Sequence, residues 1–213
     1  MRNLRSVNQV FITFLSVTVL AGTSFSQGSS KKNQAVNHTY SHEAFSPAYI
    51  KDALVKSAKW QLKHPKHSIT DWTNGAFYAG LFAAYEATQS AEILDSLLAI
   101  GERAKWRPGP RYDHADDIAV CQTYIDLYRI KRDPRMIQPT LDTIHKLRTV
   151  SGNEIIKHGL TWWWCDALFM APPTLAKLSA TLDDPAFNTF SDLLFKQTYQ
   201  LLYNQREHLF ARD

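Results

Sequence analysis

Cysteine is almost missing from this chain: Cys121 and Cys165 are the only two among 213 residues. Two thiols are too few for a disulfide scaffold, even in an oxidising compartment. They either join in one bridge or lie as buried free thiols within apolar helical patterns. Basic blocks are missing as well, and the formal net charge is only +4. That balance argues against a phosphate-tracking nucleic-acid surface, yet it would not repel an acidic sugar. Ligand clusters are also lacking. His64 and His67 stand without cysteines or carboxylates at ligand spacing, so no metal and no cofactor is expected.

Long apolar runs are few. The longest, from Val10 to Ala21, is interrupted by Thr13, Ser16 and Thr18, and it is shorter than the roughly 20 apolar residues of a spanning helix. Arg2 and Arg5 precede it and small polar residues follow, so residues 1–26 read as a secretory signal peptide. The mature protein is then expected to be exported, periplasmic or secreted, with no membrane segment and a net charge of about +2. Residues 27–45 are expected to form a polar, disordered lead-in, and 46–213 a single domain with its own core.

What fills that domain is the helical period, with little alternation of period two. Ser46 and Pro47 open a first helix with Ile50, Ala53, Leu54 and Ala58 on one stripe. Further helices are expected around Phe77–Tyr85, Ile93–Leu98, Ile118–Tyr128, from Asp133-Pro134 with a kink near Pro139, after Asp166, and from Asp184-Pro185. Arg107-Pro108-Gly109-Pro110 breaks the third from the fourth. The junctions around Tyr85, Tyr128 and Leu178 recur as helix ends followed by short polar turns. The fold class is therefore all-α, built of helical hairpins that bury their apolar faces by stacking.

Each hairpin is preceded by a loop rich in polar and aromatic residues: Asp71-Trp72-Thr73-Asn74-Gly75, His114-Ala115-Asp116-Asp117 and Trp162-Trp163-Trp164-Cys165-Asp166. Stacking around an axis brings such loops to one end. Indoles suit the faces of sugar rings, and a carboxyl pressed among them tends to keep its proton, which is what a general acid needs. Asp166 is thus either that acid or a helix cap, and the tryptophans are either a sugar wall or core. Adjacent helical residues project about 100 degrees apart, so only one of Asp116 and Asp117 faces the axis. The helical pattern alone leaves open which of the two does so. Trp164 and Met170, one turn beyond Asp166, are expected to line the sugar site; Trp72 and Asn74 are substrate contacts or packing. His114 either binds a carboxylate or bonds its own loop. Gly75 is expected to permit a close helix approach.

The segments Asp71 to Leu81, His114 to Asp117 with Gln122 and Leu127-Tyr128, and Trp162 to Pro173 resemble glycoside hydrolase family 105, the unsaturated rhamnogalacturonyl hydrolases, and more distantly the family 88 glucuronyl hydrolases. The resemblance implies an (α/α)6 barrel, of which this chain supplies about half, and a catalytic pair of Asp166 and Asp116. It implies as substrate an unsaturated uronic-acid oligosaccharide from pectin, namely galacturonyl-rhamnose. The double bond is hydrated after Asp166 protonates C4, while Asp116 holds the water. The terminal Phe210 to Asp213 resembles the opening of the family's next hairpin, so the chain is expected to be a piece of a longer enzyme. Two other classes fit the same pattern: an inverting glycosidase of the same barrel type, with carboxylates roughly 6.5 to 9.5 Å apart, and a non-catalytic sugar-binding or interaction repeat.

Overall fold

The computed structural model describes residues 45–150 and 160–213, without the side chain of Val150. The leader expected at 1–26 and nearly all of the lead-in lie outside the described residues. Within them the order is α1 (Pro47–Lys63), α2 (Trp72–Thr88), α3 (Ala91–Ala104), α4 (Ala115–Ile118), α5 (Cys121–Lys131), α6 (Gln138–Val150), α7 (Ala167–Met170), α8 (Pro172–Leu182) and α9 (Ala186–Leu202). A two-stranded antiparallel ribbon follows, β1 (Tyr203–Asn204) and β2 (Leu209–Phe210).

The starts of these helices follow from side-chain caps. The Ser46 hydroxyl accepts from the Tyr49 N–H, with Pro47 in the first turn, and the Asp71 carboxylate accepts from the Thr73 N–H. Their ends repeat. Gln89, Arg132 and Asp183 close α2, α5 and α8 in the left-handed region, with φ of 56°, 60° and 55°. In each case the left-handed residue offers its N–H to a carbonyl of the last turn and swings the chain back antiparallel. The repeat of junctions is therefore a repeat of one turn device, and the hairpins are α2–α3, α5–α6 and α8–α9.

Helix α2 packs on α5, and α5 on α8, while α3 and α9 pack on the helices that precede them. Being flanked on both sides, α5 buries every residue from Cys121 to Leu127. Cys121, Tyr124 and Leu127 join a core with Leu81, Phe82, Ile93, Leu97 and Trp106. Ile125 joins a second core with Ile144, Leu147, Trp162, Leu175, Phe187 and Leu194. Each fully buried large side chain of this kind contributes about 1.5–3 kcal/mol.

One expectation changes. Pro139 does not kink a longer helix: a 3-10 turn spans Pro134–Met136, and α6 begins at Gln138 with Pro139 as its second residue, where its missing N–H costs nothing. The terminal segment forms the ribbon. Asn204 turns the chain by accepting from the N–H groups of Arg206 and Glu207, and the returning strand ends with the Arg212 carbonyl accepting from the Cys165 N–H. Both cysteines are free thiols; burial pushes Cys121 up to about 12. Among the described residues no helix is long and apolar enough to cross a membrane.

Candidate functional site

The three pre-hairpin loops do meet. Gly75, in the first turn of α2, lies against the α4–α5 joint: a Cβ there would sit 2.8 Å from Ala119 Cβ and 3.0 Å from both the Ala119 carbonyl carbon and the Val120 nitrogen. Since two of these neighbours are backbone, they cannot yield. Gly75→Ala is expected to cost about 1–3 kcal/mol by overpacking, lowering the melting temperature by about 5 °C in a calorimetric scan. From the other side, Gln122 Nε2 donates to the carbonyls of Phe169 and Met170, 3.1 Å each, and Thr174 Oγ1 donates to the Ile118 carbonyl at 3.3 Å. These hooks hold α7 on α4–α5.

At the junction, the rings of His114 and Trp164 lie 4.5 Å apart at 34°. His114 Nδ1 is 3.6 Å from Asp116 Oδ2. His114 Nδ1 and Asp116 Oδ1 are both buried without a hydrogen-bond partner among the described residues. Burial pushes the Asp116 carboxyl above its ordinary range; the charge of Asp166 pushes it the same way, while His114 and Arg111 oppose. Burial likewise depresses the His114 imidazole, against the pull of Asp116. The charge of Asp166 thus reaches Asp116 from a loop fifty residues away in sequence.

Several expected residues sit otherwise than their spacing implied. Asp166 is exposed and not sheltered by the indoles, because α7 starts only at Ala167 and leaves it outside the first turn; nor does its side chain cap that helix. The carboxyl that burial shields is Asp116. Trp164 is 7% and Met170 3% exposed, so both belong to the core and not to an open sugar wall. Trp164 reaches the site only through His114, whose ring it supports. Asn74 is spent on its own loop, donating to the carbonyls of His67 and Ser68. Trp72, 43% exposed, remains open to a ligand. His64 is occupied too, its Nδ1 2.6 Å from the Trp60 carbonyl and its ring stacked on that indole.

The sequence pattern offered Asp117 only as the alternative to Asp116 and did not single out Arg111. The Arg111 side chain grips Asp117 Oδ1 through Nε and Nη2, and its N–H donates to Oδ2 at 2.7 Å. Arg111 directly follows Arg107-Pro108-Gly109-Pro110, whose signal is that of a helix breaker. Asp71 is held below the usual carboxylate range, chiefly by the Thr73 hydroxyl, with His67 and Arg111 adding to it.

Residues 48–213 match the profile of Glycosyl Hydrolase Family 88. An unsaturated 3S-rhamnoglycuronyl hydrolase of Formosa agariphila is 32% identical over 190 residues, covering 82% of this chain and 49% of that protein. A second protein of the same name, from an Alteromonas species, is 26% identical over 159 residues, covering 67% of this chain and 38% of its own length. Among solved structures, a family 88 glycosyl hydrolase from Bacteroides vulgatus superposes with a TM-score of 0.65 at 18% identity, over 76% of this chain and 51% of that one. The chain therefore spans about half the length of the relatives it matches.

Proposed function

The chain belongs to glycosyl hydrolase family 88, and on that premise we propose that it carries the acid/base pair of an unsaturated glycuronyl hydrolase. What supports this reading most is the pairing of Asp116 with Asp166 across two hairpin loops. Asp166, which the resemblance gives as the general acid, delivers its proton to C4 of a 4,5-unsaturated uronyl residue. Water adds at C5 and gives up a proton to Asp116, whose raised affinity for protons makes it a stronger base than an ordinary carboxylate. The product is a hemiketal, which opens and releases the neighbouring sugar. Trp72 offers an apolar face to that sugar, and His114, braced on Trp164, stays neutral beside the buried carboxyl.

The names of the curated relatives support rhamnose as the neighbouring sugar, so the substrate class is an unsaturated uronyl-rhamnose oligosaccharide, the pectin-derived galacturonyl form included. The leader pattern at residues 1–26 supports action outside the cytoplasm. The test compares an unsaturated uronyl-rhamnose disaccharide with its saturated analogue. Hydrolysis of the unsaturated compound alone, followed by loss of its ultraviolet absorbance, is the expected result. Equal hydrolysis of the saturated analogue would identify an ordinary inverting glycosidase instead.

A further inference from the structure

The loop that carries His114 and Asp116 is closed on a single side chain. Asp117, 7% exposed in its side chain, receives the Arg111 guanidinium on one carboxylate oxygen and the Arg111 N–H on the other. Its own carbonyl accepts from the Gly109 N–H at 2.8 Å, and its N–H donates back to the His114 carbonyl at 3.1 Å. The fit at Gly109 leaves no slack, because a Cβ there would lie 2.5 Å from the Asp117 carboxyl carbon. Beyond the ring, Lys146 of α6 sits 4.0 Å over the Tyr112 ring and ties the middle of the loop to the second helix of its own hairpin. Asp117 thus ties both ends of the stretch from Gly109 to His114, through its carboxylate on Arg111 and its backbone on Gly109 and His114.

We propose that Asp117, acting through the Arg111 guanidinium and the Gly109 backbone, is the residue that positions Asp116 and His114 in the site. The inference deepens the acid/base reading and rests on it only for its functional consequence. Asp117 touches no reacting atom. Its carboxylate replaces water as the partner of the loop's donors, so the loop keeps one geometry and Asp116 keeps its buried setting.

Charge and solvation then give one direction. The groups acting on Asp116 are His114 and Arg111, which lower it, and Asp166 and Asp117, which raise it along with burial. Arg111 is itself faced by Asp113, Asp116 and Asp117, and it acts across the junction on Asp71 of the α2 loop. Asp117→Asn removes one raising charge, leaves Arg111 unneutralised beside Asp116, and lets water reach a loosened loop. All three effects lower the Asp116 titration midpoint.

The experiment is a carboxyl-detected NMR titration of the 213-residue chain, with the Asp116 signal assigned by its loss in Asp116→Asn. In Asp117→Asn the Asp116 midpoint is expected to fall by about half a pH unit or more. Arg111→Lys, at a half-exposed side chain, keeps the charge but loses the fork. It is expected to shift the midpoint the same way by a smaller amount, and it decides the matter because it removes no charge. An unchanged Asp116 midpoint in a folded Arg111→Lys overturns the proposal, since that variant keeps the charges around Asp116 and moves its titration only through the geometry that the fork sets, whereas Asp117→Asn also removes a charge that acts on Asp116 directly. The acid/base reading fails separately: an Asp116→Asn protein that still turns over the unsaturated disaccharide removes that role and leaves the titration result standing.

Discussion

Asp166→Asn lowers turnover of an unsaturated uronyl-rhamnose disaccharide about 100- to 10,000-fold, the range that a positioned proton donor contributes, while the melting temperature stays within about 2 °C. The separation of the two readouts follows from where the residue sits. Asp166 is exposed, its side chain makes no capping hydrogen bond, and the helix it precedes is held by Gln122 hooks on Phe169 and Met170 that the substitution leaves alone. A surface change free of packing or caps costs under about 0.5 kcal/mol. Asn keeps the shape of the side chain and removes the transferable proton, so a fall in rate without a fall in stability isolates the chemistry. Near-normal turnover, measured by loss of double-bond absorbance in the protein carrying this chain, would take Asp166 out of the mechanism. A large loss of stability would show instead that its carboxylate supports the loop.

That contrast between an exposed Asp166 and a half-buried Asp116 is where the sequence stopped being informative. The repeat was legible because one turn, closed by Gln89, Arg132 and Asp183, recurs at the end of each inner helix and is followed by short polar residues. That the adjacent aspartates diverge was also legible. Neighbouring helical positions cannot face the same way, and Asp117 indeed turns onto Arg111 while Asp116 lies beside His114. Exposure was not legible, since a carboxylate's distance from water depends on where the helix after it begins. With α7 starting at Ala167, the one-turn relation between Asp166 and Met170 places the first outside and the second, 3% exposed, in the core. Asn74 stayed undecided between substrate and packing for a similar reason: the carbonyls of His67 and Ser68 that accept from its amide lie in an irregular loop whose path no periodicity reveals. The ribbon at Tyr203–Asn204 and Leu209–Phe210 escaped because two-residue strands are too short to alternate.

The largest loss of stability is expected at a pair outside the site, in Lys177→Met. Asp126 in α5 and Lys177 in α8 stand at the same register of the hairpin repeat, each six residues before the left-handed cap of its helix, and their ion pair ties the two helices together. The side chain of Asp126 is 7% exposed and that of Lys177 29%. Removing the ammonium strands a carboxylate in the interior, which costs about 3 kcal/mol and about 10 °C in melting temperature. The pH dependence distinguishes this cause from lost packing of the lysine stem. Burial already holds the Asp126 carboxyl above its usual range, with Lys177 pulling it down only in part. A folded value raised above the unfolded one, about 3.9, means that the group's stability is fully present below the unfolded value and is lost as pH rises through the folded one. Without Lys177 the folded value climbs further, so the deficit of the variant should be small near pH 4 and grow toward pH 7, read from urea unfolding at both. A deficit of equal size at the two pH values would assign it to packing. Pairing the change with Asp126→Leu removes the stranded charge along with its partner, and the double variant should recover most of the loss at neutral pH, as expected if the bridge secures the register of α5 on α8 more than it adds net stability.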